Sequence, residues 1–411
     1  MLRVLTCVVR PVDLPGRLGG GLRRFVEVAA RIHRFGVRYV VIESEPFLSS
    51  FRYFRQAREL SLNYDMIGVH LSFQAAANRL VIGSMVFWLK VLALVFVAAR
   101  TVKTSKVQLI VAPGETLAEV FVAWACAKLT RRPGAIVVQS DQFLHLRLQR
   151  VNGVRSAYAA YRTLHCPVVA FLAALIAQLH IRAMNDMKLL VVGSSLMKVL
   201  QVRGITSLAM VRIENGVDLR MIDAVQPSKS RFGVVYVGRV DISKGIEDLL
   251  RAWSRSDIIR NRYTLAIVGP SQKSLRKQIE ALEASSGGRL NFLGALTDVE
   301  VLGVLKSSGV LVLPSSFESF SLVVAEALAC GIPVVAYDSP GVREFFPTPA
   351  VSMVPRGDIT GLISAVEALL GNPDDRMRLG RAGRKFVSRY NWDEVAAKEA
   401  EIYRNIVESQ R

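Results

Sequence analysis

Residues 232–270 read FGVVYVGRVDISKGIEDLLRAWSRSDIIRNRYTLAIVGP. FGVVYVGR reads as a strand, DISKGIEDLLRAWSR as a loop and helix, and YTLAIVGP as the next strand. Parallel neighbours need a long connection, so strand, helix and strand together form one unit of a parallel sheet. Toward the C-terminus the alternation continues. SLRKQIEALEASS is a helix, RLNFLG a strand, TDVEVLGVLKSS a helix, VLVLPSS a strand, SLVVAEALACG a helix and IPVVAYD a strand. From Thr360 to about Glu408 the pattern is mostly helical, with Trp392 and Tyr403 as apolar core anchors.

Toward the N-terminus lies VRIENGVDLRMIDAVQPSKSRF, a polar, turn-rich stretch that reads as a linker. Before it the alternation repeats. LRVLTCVV is a strand and RPVDLPGRLGGG its exit loop. The amphipathic helix LRRFVEVAARIHRFG follows, then VRYVVI, VQLIVAPGE opening onto TLAEVFVAWACAKL, AIVVQSD, and KLLVVGSS as the last strand of this half. The expected fold class is α/β, with two Rossmann-like parallel-sheet domains over 1–207 and 208–390 and a closing helix over 391–411 that packs back on the first. Such a pair places a ligand cleft at the carboxyl ends of its strands.

Composition fits this reading. The chain has 411 residues, 51% of them hydrophobic and 21% charged, so two or three cored domains are expected and wholesale disorder is excluded. Cys7, Cys126, Cys166 and Cys330 lie far apart with no Cys-x-x-Cys, which excludes a disulfide scaffold and a zinc ribbon and fits a reducing compartment. MLRVLTCVVRPVDLP is interrupted too early to read as a secretory signal. The net charge of +19 is uneven. Residues 1–205 hold 27 Lys and Arg against 10 Asp and Glu, and residues 206–411 hold 26 against 24. A basic first half faces either bulk solvent or a polyanion, nucleic acid or an anionic membrane.

Two apolar runs favour the membrane. Leu80 to Ala99 is twenty residues with Lys90 as its one charge, and Pro167 to Leu179 is a shorter run; basic residues flank both. The first is long enough to span a bilayer. Strands on either side of it argue for one intact sheet, which a helix lying in the interface or buried in protein preserves and a spanning helix does not.

Two segments carry chemistry. In Gly238-Arg239-Val240-Asp241-Ile242-Ser243-Lys244-Gly245, Arg239 ends a strand and Lys244 opens a helix. Two cations beside glycines suit a diphosphate, with ordinary turn chemistry as the plainer reading. The Walker spacing is absent. In Phe317-Glu318-Ser319-Phe320-Ser321-Leu322-Val323-Val324-Ala325-Glu326-Ala327, Glu318 follows a strand end and Ser321 reads as an N-cap. Glu326 lies among apolar neighbours, so it needs hydroxyl or backbone partners.

Taken together these residues resemble the retaining glycosyltransferases of the two-domain GT-B type, family 4 (glycosyltransferase group 1). The matching positions are Asn215-Gly216-Val217-Asp218, Gly238-Arg239, Lys244-Gly245, Val268-Gly269, Phe292-Leu293-Gly294, Pro314-Ser315-Ser316, Glu318, Glu326-Ala327 and Ala329 to Val335. Tyr390-Asn391-Trp392-Asp393 resembles the family's closing helix. The resemblance implies that Arg239 and Lys244 hold the donor diphosphate and that Glu318 binds sugar hydroxyls. It implies backbone amides of Phe320, Ser321 and Leu322 beside sugar or phosphate, and Glu326 on the ribose. Gly19-Gly20-Gly21 resembles the glycine turn facing the donor. The family's His-Asp pair falls at Ser140-Asp141, with His145 four residues beyond Asp141 as the alternative histidine; His33, His70, His165 and His180 read as structural.

The implied function is retaining transfer of a hexose from a UDP- or GDP-sugar, with no cofactor and no metal. The acceptor is expected at the inner face of the cell membrane: a lipid, a lipid-linked saccharide or an envelope polysaccharide. A nucleotide-sugar epimerase, a soluble-acceptor synthase and a non-catalytic scaffold are the rivals, and no nucleic-acid module is read.

Overall fold

The computed structural model describes residues 1–8, 20–44, 65–69, 80–140, 178–202, 204–205, 210–271 and 273–410. The chain divides into two units, Met1–Glu214 with Trp392–Arg411, and Asn215–Asn391.

Unit 1 is built on β1 (Leu2–Val8), β2 (Val37–Ser44), β3 (Asp65–Val69), β4 (Leu109–Ala112), β5 (Gly134–Val138), β6 (Lys188–Val192) and β7 (Met210–Ile213). Their order across the sheet is β3-β2-β1-β4-β5-β6-β7, parallel throughout. The strands read as near-continuous apolar runs because helices cover both faces of such a sheet. Those helices include α1 (Gly20–Arg31), α2 (Leu80–Thr104), α3 (Leu117–Thr130) and α4 (Ser194–Val202). KLLVVGSS is therefore not the last strand of this half. Met210–Ile213, which overlaps the start of the stretch that reads as a linker, continues the sheet by pairing with β6.

The long apolar run is α2. Val91, Leu94, Val95, Ala98 and Val102 are all 3% exposed or less, and the helix packs on α3 and β1. The strand before it, β3, and the strand after it, β4, belong to one sheet. The helix is thus a crossover connection that lies along the sheet. Among the described residues no helix is long and apolar enough to cross a membrane.

Unit 2 contains α5 (Leu219–Ala224), β8 (Phe232–Val237), α6 (Ile246–Arg255), α7 (Asp257–Arg262), β9 (Leu265–Val268), α8 (Lys273–Ser285), β10 (Leu290–Gly294), α9 (Asp298–Lys306), β11 (Ser308–Leu313), α10 (Leu322–Ala329), β12 (Val334–Tyr337), α11 (Pro340–Phe345), β13 (Val351–Val354), α12 (Ile359–Gly371) and α13 (Pro373–Val387). Its sheet runs β10-β9-β8-β11-β12-β13, also parallel. Trp253, Leu265, Ile267, Val310, Val312 and Leu362 sit in one buried cluster of this unit.

The last helix, α14 (Trp392–Glu408), belongs to unit 1. Its Glu399 meets Arg24 of α1 at 2.6 Å, with both side chains 2% exposed. Tyr403 donates its hydroxyl proton to Glu399 Oε1 at 2.5 Å, and its oxygen lies 3.0 Å from the hydroxyl of Tyr39. Burial pushes both phenols well above their ordinary range, with the Glu399 charge adding to it. Trp392 and Tyr403 are buried, as their apolar setting predicts.

Candidate functional site

In a parallel sheet, ligands bind outside the carboxyl ends of the strands, where the strand order reverses. In unit 2 that point lies between β8 and β11. β8 runs into Gly238 and Arg239; β11 runs into Pro314 and leads to Glu318. The two sequence-predicted segments therefore meet at one place, brought there by topology.

Glycines permit the approach. Gly245 adopts φ +72°, and a Cβ on it would stand 1.8 Å from the Pro314 carbonyl oxygen. At Gly269, φ is +143° and a Cβ would stand 1.7 Å from the carbonyl oxygen of Gly238. Only glycine fits at either position. Above Gly245, the Ser316 amide and hydroxyl both donate to the Ser243 carbonyl, at 3.2 and 3.0 Å. Tyr236, buried in β8, donates its hydroxyl to the Arg239 carbonyl at 2.6 Å and so holds the turn. Burial raises its pKa.

Lys244 and Glu318 form the centre of the site. Lys244 Nζ lies 2.7 Å from Glu318 Oε1, with side-chain exposures of 23% and 10%. Asp241 supports the lysine: its Oδ1 accepts from the Lys244 amide at 3.1 Å and from the Ser243 hydroxyl at 2.5 Å. Arg239 is different. Its side chain is 53% exposed, and the nearest carboxylate, Asp241, is at 3.5 Å. The pair of fixed cations expected from sequence is one held lysine and one exposed arginine.

The backbone after Glu318 is unusual. Ser321 has φ +72° and ψ +86°, rare for a residue with a Cβ. It occupies the N-cap position of α10, but its side chain makes no capping bond. Among the described residues that hydroxyl, though buried, has no hydrogen-bond partner. Two long-range contacts impose the conformation. Phe320 is buried against Phe345, Phe346 and Tyr390. The Gly341 amide donates to the Glu318 carbonyl at 3.0 Å, an approach that a Cβ on Gly341 would block at 2.3 Å. Strain of this kind clusters at ligand sites. Leu322 opens α10, and Glu326 is 3% exposed in its middle. Asn215, the first residue of unit 2, is buried, and its Oδ1 has no partner among the described residues.

Unit 1 has its own reversal point, between β1 and β4. Gly20 and Gly21 form the first turn of α1 after β1. Gly19, Asp141 and His145 lie outside the described residues, as do His70, His165 and Cys166. After β4 stands Glu115, which the sequence reading passed over. It is 6% exposed; its Oε1 accepts from the Ser140 hydroxyl at 2.6 Å and its Oε2 from the Gln139 amide at 3.2 Å. The signal was available: a carboxylate in the loop after a strand end, as at Glu318. Ser140, in the family's usual histidine place, is thus bonded to a buried acid. His180 lies close by, hydrogen-bonded to the Glu115 backbone, which opposes the shift; burial dominates and pushes its imidazole down from 6.5 to about 4. The unfolded chain takes up that proton at higher pH than the folded one, so stability should fall as pH drops from 6.5 toward 4. Urea midpoints measured across this window should slope less in His180→Gln; an unchanged slope would assign the acid sensitivity to other groups.

The Glycosyl transferases group 1 family model matches residues 221–386. Lys244, Glu318 and Glu326 fall inside that range. The chain is similar to a glycogen synthase of Mycobacterium tuberculosis (strain CDC 1551 / Oshkosh), with 32% identity over 196 residues, 46% of this chain and 47% of that protein. It is also similar to a phosphatidyl-myo-inositol mannosyltransferase of Mycobacterium leprae, with 33% identity over 209 residues, 48% of this chain and 54% of that protein. The chain thus spans about half the length of these curated relatives. Among solved structures, Anabaena HepE in complex with UDP and glucose aligns with a TM-score of 0.70 at 16% identity, over 98% of this chain and 100% of that one. Sucrose-phosphate synthase from Thermosynechococcus elongatus aligns at 0.71 and 20%, over the whole of both chains. At such identities the likeness is one of fold, and that fold is GT-B. What the chain shares with the group 1 glycosyl transferases is thus the stretch 221–386, which carries Arg239, Lys244, Glu318 and Glu326.

Proposed function

We propose that the chain transfers a hexose from a UDP- or GDP-sugar, with retention, to an acceptor at a membrane surface. The observation that carries the transfer is the Lys244–Glu318 pair at 2.7 Å, set where the strand order of unit 2 reverses. Breaking a sugar–phosphate bond leaves positive charge at the anomeric carbon and negative charge on the diphosphate. A held ammonium beside the phosphate and a carboxylate beside the sugar hydroxyls meet those needs. In this reading Arg239 adds a mobile second cation, the amides of Phe320, Ser321 and Leu322 face sugar or phosphate, and Glu326 takes the ribose. The acceptor oxygen attacks on the face the leaving group departs from, and its proton passes to the departing phosphate oxygen.

Anabaena HepE, solved with UDP and glucose, supports a nucleotide-sugar donor. The mannosyltransferase relative, named for a phosphatidylinositol lipid, supports a lipid acceptor. A soluble acceptor is the second reading, favoured by the similarity to a glycogen synthase. Radiolabelled UDP- and GDP-sugars, incubated with native membrane extract or with soluble glucan, separate the two. Label entering a lipid-extractable product with the donor's anomeric configuration is the expected result. Label only in glucan would favour the second reading, and no transfer from any donor would remove both.

A further inference from the structure

The outer face of α2 has no part in the chemistry above. Leu89, Leu92 and Phe96 are 63%, 45% and 71% exposed, at three- and four-residue spacing. The same stripe continues through Arg100 and Lys103, both exposed, in the last turns of the helix. It lies opposite the buried face formed by Val91, Leu94, Val95, Ala98 and Val102, so α2 is apolar on two sides and covered on one. Where the helix ends and the chain turns into β4, a cavity of about 630 Å³ opens. Its polar lining is Arg3, Lys103, Lys106, Gln108, Thr130 and Arg132, with no carboxylate. Arg3 is held there, donating to the Ser105 carbonyl at 2.9 Å.

We propose that this stripe and this cavity form one docking surface for an anionic lipid bilayer. Leu89, Leu92 and Phe96 enter the boundary between headgroups and acyl chains, and the four cations of the cavity receive a lipid phosphate. Exposed apolar side chains beside a basic cluster bind an anionic bilayer through the apolar area they bury and the charge they neutralise. Charge selects the occupant. Four cations without an acid suit an anionic headgroup, whereas a second copy of the chain docked through the same patch would bring like charges together. The inference rests on the membrane-acceptor part of the proposed function, and its test separates the two.

The full chain is mixed with vesicles of phosphatidylcholine alone or with about one third phosphatidylglycerol, and the bound fraction is read by flotation. Salt-sensitive binding to the anionic vesicles is expected. Phe96→Asp, and separately Lys103→Glu with Arg132→Glu, should each lower the partition coefficient at least about tenfold. These side chains are exposed, so melting curves should match the wild type; Leu92→Ser provides a second apolar variant if one fails to fold. Wild-type binding that the variants leave intact overturns the surface and spares the membrane acceptor. No wild-type binding overturns both, while transfer to a soluble acceptor still stands. Equal binding to neutral vesicles overturns the phosphate role of the cavity. A dimer seen by light scattering and broken by Phe96→Asp assigns the stripe to self-association and overturns the proposal.

Discussion

Lys244→Ala should lower kcat/KM for sugar transfer by about 10²–10³, or about 3–4 kcal/mol of barrier, in a protein that still folds. Lys244 is three-quarters buried and bonded to Glu318, so it is fixed before a donor arrives. A fixed cation stabilises a departing phosphate without reorganising, and a solvated one does not. Arg239, with its side chain more than half exposed, lacks that advantage. Arg239→Ala should therefore act more on KM than on kcat. The lysine variant leaves Glu318 without its cation, so Glu318→Gln and the double variant complete the comparison. A loss below tenfold in Lys244→Ala, in initial rates at matched melting temperature, would remove the lysine from the chemistry.

Glu399→Ala should destabilise unit 1 by about 3–5 kcal/mol, because it leaves the Arg24 guanidinium buried without its charge partner. The carboxylate also accepts from Tyr403, so a second bond is lost with it. Replacing both partners together, Arg24→Met with Glu399→Leu, should cost far less, since no uncompensated charge remains. Urea unfolding monitors both. A Glu399→Ala midpoint within error of the wild type would make the pair incidental.

The fold was legible because its parallel strands are buried on both faces and separated by helices. Phe232–Val237 and Leu265–Val268 identify themselves in this way. The strands that escaped, Met210–Ile213 and Val351–Val354, are four-residue edge strands with one neighbour each. The first is followed by Asn215-Gly216, so its polar surroundings read as linker. The Lys244–Glu318 pair was legible as two strand-end segments, and topology supplied the contact. Ser321 misled for a definite reason. Its residue type fits an N-cap, while its backbone is set by Phe320 and Gly341, whose partners are distant in sequence. The Tyr39–Tyr403 contact joins positions 364 apart and leaves no local trace.

Because α14 belongs to unit 1, the segment that completes that unit leaves the ribosome after all of unit 2. During synthesis, Asn215–Asn391 can finish folding while Arg24 and Tyr39 still lack their cover. The nascent chain must then keep a sheet whose strands are all made, but whose helical cover is incomplete, from clumping until α14 emerges. A premature stop before Trp392 would spare the later-made unit and cripple the earlier one.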